Sequence, residues 1–329
     1  MTLAWSSFDD NQVSEPTGPR VAVLLCTYNG ATYLQQQLDS IARQTHSNLE
    51  IWVSDDGSTD ETPQILSSAQ NAWGSERIKI LQGPRQGFAR NFLSLACHPE
   101  VDADYFAFCD QDDIWLPGKL ERALEALARL PQNQACLYGG ATRLVDQSGQ
   151  VLGVSAMTPR VLGFENALVQ NFAGGNTMVF NRRLREHLQH AGSALDIVSH
   201  DWWLYIVATA VGGHVVFDSE PQVNYRQHKG NLIGANARLP ARINRIKAMS
   251  TGRLIDWLWI NCTCLEHLVA DMPAENQQLL EQLANVRRET LLKRITRLPA
   301  LTLARQSVLE TWILKVALML APRLRAKHY

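Results

Sequence analysis

From Arg20 onward the chain alternates short continuous apolar runs with longer stretches of helical period. Val21-Ala-Val-Leu-Leu-Cys26 is an unbroken apolar run of strand length, as a parallel strand buried on both faces requires. Tyr33, Leu34, Leu38 and Ile41 then recur at helical spacing, and Leu49-Glu-Ile-Trp-Val53 predicts the next strand. A second crossover runs from Asp60, a candidate N-cap, through Pro63 in the first turn toward Gly74. Arg77–Leu81 predicts a third strand, Phe88–Ala96 a helix and Tyr105–Cys109 a fourth strand. Leu120, Leu124 and Leu127 form the buried stripe of the helix after Pro117. This order is that of an α/β, doubly wound, mainly parallel sheet, in which ligands bind beyond the carboxyl ends of the strands.

Polar residues concentrate at those strand ends. Thr27-Tyr-Asn-Gly30, Ser54-Asp-Asp-Gly-Ser58 and Asp110-Gln-Asp-Asp113 each follow an apolar run, so one shared cleft is expected. Beyond Gly139 short strand-like pieces, Thr177–Phe180 and Gly213–Phe217, lie among glycines and polar turns and predict a region added to the sheet. After about Pro240 the pattern is helical, with interruptions near Pro273 and Pro299. Residues 1–19 lack periodicity and are expected to be a mobile arm, which divides the chain into that arm, a domain over 20–237 and a helical region over 238–329.

Charge adds an asymmetry to this outline. The net charge is -1, so no excess draws the whole molecule to nucleic acid. Residues 238–329, however, hold 15 Lys and Arg against 7 Asp and Glu, and the remainder of the chain is correspondingly acidic. Six cysteines are too few for a disulfide scaffold, and Cys262-Thr-Cys264 has no second pair to complete a structural zinc site. The first residues carry neither a basic nor an apolar signal segment, and no run of about 18 apolar residues occurs, so a cytoplasmic location is expected.

Three carboxylates in Asp110-Gln-Asp112-Asp113 at a strand end repel one another unless a cation is present. Oxygen ligands suit Mg²⁺ or Mn²⁺, which takes one or two carboxylates and completes its shell with phosphate oxygens; a solvated acidic turn is the alternative. Asp55, directly past a strand, is placed to accept hydrogen bonds from a base or ribose. Neither a G-x-G-x-x-G fingerprint nor a phosphate-binding G-x-x-x-x-G-K-[ST] loop is present.

Together, Val23-Leu-Leu-Cys-Thr-Tyr-Asn-Gly30, Trp52-Val-Ser-Asp-Asp-Gly-Ser-Thr-Asp60, Gly87-Phe-Ala-Arg-Asn91 and Phe108-Cys-Asp-Gln-Asp-Asp-Ile-Trp115 resemble glycosyltransferase family 2, which has the GT-A fold. With His200-Asp-Trp-Trp203 and Tyr225-Arg-Gln-His228 downstream, the closest likeness is to its rhamnosyltransferase-like branch; the likeness covers about residues 20–235. The resemblance implies that Thr27, Tyr28, Asn29, Asp55, Asp56, Arg90, Asp110, Gln111 and Trp115 face a nucleotide-sugar. It implies that Gly174 and Gly175 border the donor sugar and the acceptor. Asp112, Asp110, Asp113 and His228 become the metal ligands, with Mg²⁺ or Mn²⁺ as cofactor, and Asp201 the catalytic base. The implied reaction is an inverting, metal-dependent transfer, with rhamnose from a dTDP-sugar as the first expectation and a UDP-hexose or UDP-N-acetylhexosamine donor as the alternative. The implied acceptor is a hydroxyl of a surface polysaccharide or a lipid-linked oligosaccharide precursor.

Such chemistry needs a base opposite the leaving group to take the acceptor's proton, and a cation to offset charge developing on the diphosphate. A nucleotidyltransferase and a non-catalytic nucleotide-sugar-binding protein remain alternatives, the first lacking its Gly-rich, basic phosphate loop here. The apolar helix from Val308 ends in Arg323, Arg325 and Lys327. An anionic membrane, with the protein peripheral on the inner face, the catalytic domain itself, and a second subunit of a homo-oligomer all suit it.

Overall fold

In the computed structural model, which describes residues 18–155, 161–228 and 252–321, the first apolar run forms β1 (Val21–Thr27), every residue of it buried. There follow α1 (Leu34–Ala42), β2 (Leu49–Asp55), α2 (Thr62–Trp73), β3 (Ile78–Gln82), α3 (Phe88–Cys97), β4 (Tyr105–Asp110), the two-residue β5 (Ile114–Trp115) and α4 (Lys119–Ala128). Apart from β5, these are the elements that the apolar periodicity predicts. Asp60 stands one residue before the N-cap position Glu61 yet still secures the helix start. Its two oxygens accept the Thr62 and Ala31 N–H groups at 3.0 and 3.1 Å, tying α2 to the loop after β1.

The second half departs from expectation. It contains β6 (Cys136–Gly140), β7 (Arg143–Val145), β8 (Val151–Val154), α5 (Phe164–Ala167), β9 (Val179–Asn181), α6 (Arg182–Ala191), α7 (His200–Ala210), β10 (His214–Asp218) and β11 (Val223–Arg226). Rather than forming an added region, β6, β9 and β10 complete one seven-stranded sheet of order β10-β6-β9-β4-β1-β2-β3. Its pairings are parallel except at β9, which runs antiparallel to β4 and β6. A smaller sheet has the order β5-β11-β7-β8. Within the main sheet Thr27 pairs with Asp55, Asp55 with Gln82 and Cys26 with Asp110, so the polar clusters end level along one edge.

Alternate residues of β1 point into two cores, as strand geometry dictates. Val21, Val23 and Leu25 pack with Leu38, Leu66 and Leu124 of the helices on one face. Ala22, Leu24 and Cys26 join Phe92, Leu184 and α7 on the other. All eleven residues of α7 are buried, which suits a helix that is apolar around its whole circumference.

This second core extends into α8 (Arg253–Cys264), α9 (Ala274–Arg288) and α11 (Val308–Leu320) through Leu258, Leu283, Leu314 and Leu318, with α10 (Leu291–Arg297) joining the last two in sequence. Asn276 donates its amide to the Thr209 and Ala210 carbonyls at the end of α7, at 3.0 and 2.9 Å. The helical region is therefore packed on the sheet through a shared core. No helix among the described residues is long and apolar enough to cross a membrane. All six cysteines are free thiols, and burial pushes that of Cys262 up to about 12. The expected arm, apart from its last two residues, and the basic stretch after Ala321 lie outside the described residues.

Candidate active site

The strand-end loops are tied to one another before any ligand is considered. Tyr28 N–H donates to Gln111 Oε1 at 2.8 Å, and Gln111 Nε2 donates back to the Tyr28 carbonyl at 3.1 Å. Gln111 is thus the latch between the loops after β1 and β4, and a side chain at Gly30 would collide with it. Asn29 sits at φ +49° and accepts the Thr59 N–H at 2.8 Å, joining the β1 and β2 loops. Tyr28 itself is 58% exposed, with its ring free to meet a ligand.

Beside this latch is a cavity of about 380 Å³, lined by Asp55, Ser58, Leu66, Ile80, Gln82 and Arg85 among others. Asp55 is held by Thr27 Oγ1 at 2.8 Å and by the Ser58 N–H at 2.9 Å. An oriented carboxylate above apolar Leu66 and Ile80 suits a flat heterocycle with N–H donors. Asp56 has a different task. Its oxygens accept the Arg85 and Gly87 N–H groups at 2.6 and 2.9 Å, so it shapes the loop from β3 to α3 and is largely buried. Arg85, a cavity residue that the sequence patterns passed over, is thereby held at φ +57°. Its detectable signal is a charged residue in a Gly-Pro turn just past a strand's carboxyl end. Arg90, expected to face the nucleotide, is not among the residues that line the cavity and bridges the Leu195 carbonyl and Gln86, at 2.5 and 3.1 Å.

The acidic cluster divides into a face and a foundation. Asp112 Oδ2 lies 2.7 Å from His228 Nε2, bringing the β4 loop to the end of β11. The Asp110 carboxyl is pushed up to about 8, first by burial and then by the negative charges of Asp112 and Asp201. Asp110, Asp112, Asp201 and His228 therefore share one electrostatic neighbourhood although they come from three separate stretches of chain. Asp113, expected among the metal ligands, is fully buried: Asn176 donates to one oxygen at 2.5 Å and the Arg226 N–H to the other at 3.2 Å. It braces the site from below. Arg226 is a buried strut whose guanidinium donates to the carbonyls of Asp112 and Gln147 and to Gln36 Oε1, at 3.1, 2.8 and 2.7 Å.

A carboxylate oxygen in contact with an imidazole nitrogen, with the Asp110 carboxylate two residues earlier in the same strand-end loop, is a set of oxygen and nitrogen donors that fits a small divalent cation. Among the described residues no group of three or more His, Cys, Asp and Glu side chains is gathered around a single point.

Asp201 stands in the first turn of α7, where its charge suits the helix dipole. Its oxygens accept the Trp202 N–H at 2.7 Å and Asn171 Nδ2 at 2.9 Å, and Asn171 also donates to the Ala173 carbonyl. Asn171 is a second residue missed in the sequence, since nothing local marks it. His200 is buried, stacked on Phe92 at 3.8 Å between ring centroids and edged by Phe88 and Phe108. Burial pushes its imidazole down to about 4 despite Asp201, so it is neutral near pH 7.

Gly174 and Gly175 enter the 3-10 turn Gly175–Thr177 facing this helix. A Cβ on Gly175 would overlap His200 Nε2 and stand 3.2 Å from Asp201 Cβ. Gly175→Ala is expected to lower stability by about 1–3 kcal/mol, since neither the stacked ring nor the buried helix can withdraw. A thermal melt checks this, and an unchanged melting temperature would contradict the close packing.

The indoles do not line the cleft. Trp115, expected beside the nucleotide-sugar, is buried in the core below β5, with the Lys119 ammonium 3.6 Å from the ring centroid. Burial lowers that ammonium to about 7. Trp202 and Trp203 belong to the opposite core, with Trp202 Nε1 donating to the Ala167 carbonyl at 2.6 Å.

Residues 22–144 match the family model of Glycosyl transferase family 2. Over 269 residues, 78% of this chain and 88% of the relative, the sequence is 30% identical to the dTDP-rhamnosyl transferase RfbG of Shigella flexneri. The chain belongs to glycosyltransferase family 2. An alignment of that length takes in both Asp201 and His228 of this glycosyltransferase wherever it begins. The mycobacterial protein Rv1520 of Mycobacterium tuberculosis is 28% identical over 214 residues, and the matched part is 59% of its length. Among solved structures, S. aureus TarS 1-349 in complex with UDP-GlcNAc superposes with a TM-score of 0.52 over 91% of this chain and 90% of that one, at 14% identity. The shared architecture is the GT-A fold.

Proposed function

We propose that this glycosyltransferase moves rhamnose from a dTDP-sugar, with inversion and with a divalent cation, to a hydroxyl of a surface glycan or its lipid-linked precursor. The observation that carries the proposal is the contact of Asp112 with His228 at the same sheet edge where Asp110 and Asp55 end their strands, with Asp201 close enough to act on the Asp110 charge. The Shigella relative is a dTDP-rhamnosyl transferase, which supports dTDP-rhamnose as the donor. In this reading the cavity takes the base, Asp55 accepts its N–H, and Asp110 faces the ribose.

Asp112 and His228 would hold Mg²⁺ or Mn²⁺, and the ion would stabilise the leaving diphosphate as a Lewis acid. Asp201 accepts the proton of the attacking hydroxyl on the face opposite the leaving group, so that a single displacement inverts the anomeric carbon. The Trp202 N–H and Asn171 hold that carboxylate in one orientation, and the neutral His200 behind it adds no competing positive charge. We assign the transfer to residues 20–237 and a supporting role to the helices that follow, with the enzyme working at the cytoplasmic side.

Thermal melts with a panel of nucleotides and nucleotide-sugars test the donor assignment. With Mn²⁺ present, dTDP and dTDP-rhamnose are expected to raise the melting temperature more than UDP or UDP-GlcNAc, and a chelator should remove most of the gain. A larger shift with the UDP compounds would transfer the assignment to the UDP-sugar reading.

A further inference from the structure

α11 is apolar on two sides, and the fold covers only one of them. Leu314 and Leu318 are buried in the shared core. Val308, Trp312, Val316 and Leu320, four residues apart, run along another side together with Leu309, and all five are exposed, Trp312 by 59% and Val308 by 69%. Their α10 counterparts, Leu291, Leu292 and Ile295, are exposed too, Leu292 by 78%. The two sets meet, because Leu291 and Leu320 line one recess of about 240 Å³ where the helices join. The joint is held by Arg294, which is buried and whose guanidinium donates to the Val286 carbonyl at 2.8 Å and to carbonyls at the end of α11. Such a continuous apolar surface on a folded chain is uncommon unless something covers it.

Charge points to what covers it. From Leu291 to Tyr329 the chain holds eight Lys and Arg and a single acidic residue, Glu310; with Arg294 and Arg305 buried and Arg297 paired with Glu289, the basic residues left to the surface argument are Lys293 and Lys315 and, in sequence, Arg323, Arg325 and Lys327. Glu310 is paired inward with the buried Arg305 at 3.1 Å, so it does not offset the surface. Lys293 is exposed between Leu292 and the buried Arg294, and Arg323, Arg325 and Lys327 follow α11 directly in sequence. A second copy seated on this face would bring like charges together. Phosphate headgroups over an acyl layer match both features, apolar side chains entering the layer and cations meeting the phosphates. An indole is also suited to that boundary, where one edge is apolar and the other wet.

We propose that the α10–α11 surface is a docking face for an anionic lipid bilayer, on which the protein lies without crossing it. The proposal is independent of the transfer chemistry. It is tested by co-sedimenting the full chain with vesicles of phosphatidylglycerol and phosphatidylethanolamine and, in parallel, of phosphatidylcholine alone. The wild type is expected to bind the anionic vesicles, to leave the neutral ones in solution, and to detach as salt is raised. The double variant Leu309→Glu/Trp312→Glu should bind about tenfold less, with an unchanged circular-dichroism melt and unchanged dTDP-induced stabilisation. Absent binding at low salt, equal binding to both vesicle types, or equal binding by a folded double variant would overturn the proposal. So would a wild-type dimer in sedimentation velocity that the double variant abolishes without any binding to vesicles, since the face would then belong to a second copy.

Discussion

Asp201→Asn should retain nucleotide-sugar binding and lose transfer by a factor of about 10²–10⁴, the usual contribution of a positioned general base. The reasoning is local. The carboxylate is already fixed by the Trp202 N–H at 2.7 Å and Asn171 Nδ2 at 2.9 Å, so an amide of the same shape fits the space. One donor loses its acceptor in the exchange, which costs about 1–3 kcal/mol for a buried group, a change visible in the melting temperature but small against the stability of a domain. What the amide cannot do is take a proton from an attacking hydroxyl. Because Asp201 is in the α7 turn and does not line the cavity beside Asp55, the contacts proposed for the base do not involve it. Isothermal titration with dTDP and a transfer assay on the same sample separate the two effects, and normal turnover by the variant would remove Asp201 from the role of base.

Asp112→Ala has the second large effect, on metal-dependent binding of the donor. The substitution deletes the oxygen 2.7 Å from His228 Nε2, but the strut below survives, because Arg226 Nε donates to the backbone carbonyl of residue 112 and not to its side chain. The fold should therefore hold while the cation site is lost. Removing an outer-shell partner of a metal typically costs about 10–100-fold in affinity, and removing a ligand should cost at least that. Affinity for dTDP in Mn²⁺ is expected to fall to the value measured in a chelator. If Asp112→Ala still gained affinity from Mn²⁺ as the wild type does, the ion would have to be held elsewhere.

Much of the sheet could be read from the chain because its strands are buried on both faces and so appear as unbroken apolar runs, Val21–Cys26 being the clearest. β9 was legible as the strand-like piece Thr177–Phe180, but its place in the sheet was not. It has three residues, follows a 3-10 turn, and takes its antiparallel place only because β4 and β6 leave a gap between them. The candidate site was readable as residue types at strand ends, but not as roles. Asp55 and Asp56 are neighbours, yet one lines the cavity while the other is consumed by the Arg85 and Gly87 N–H groups. Asp112 and Asp113 divide likewise, and the partners that divide them, His228 and Asn176, are 116 and 63 residues away in sequence. Trp115 shows the same limit, since an indole after an acidic motif suits a sugar platform and a core equally until packing decides. Periodicity reports burial along one element, whereas these assignments depend on which distant backbone groups arrive beside each carboxylate.

The central claim is that one cleft, with Asp201 as base and Asp112 in the cation site, breaks the sugar–diphosphate bond of dTDP-rhamnose. The most direct measurement is the rate of dTDP release from dTDP-rhamnose in Mn²⁺ by wild type, Asp201→Asn and Asp112→Ala, each also with excess chelator. Wild type should release dTDP, stop in chelator, and exceed both variants by about 10²-fold or more. Equal release by Asp201→Asn, or turnover of a UDP-sugar with none of dTDP-rhamnose, would contradict the account.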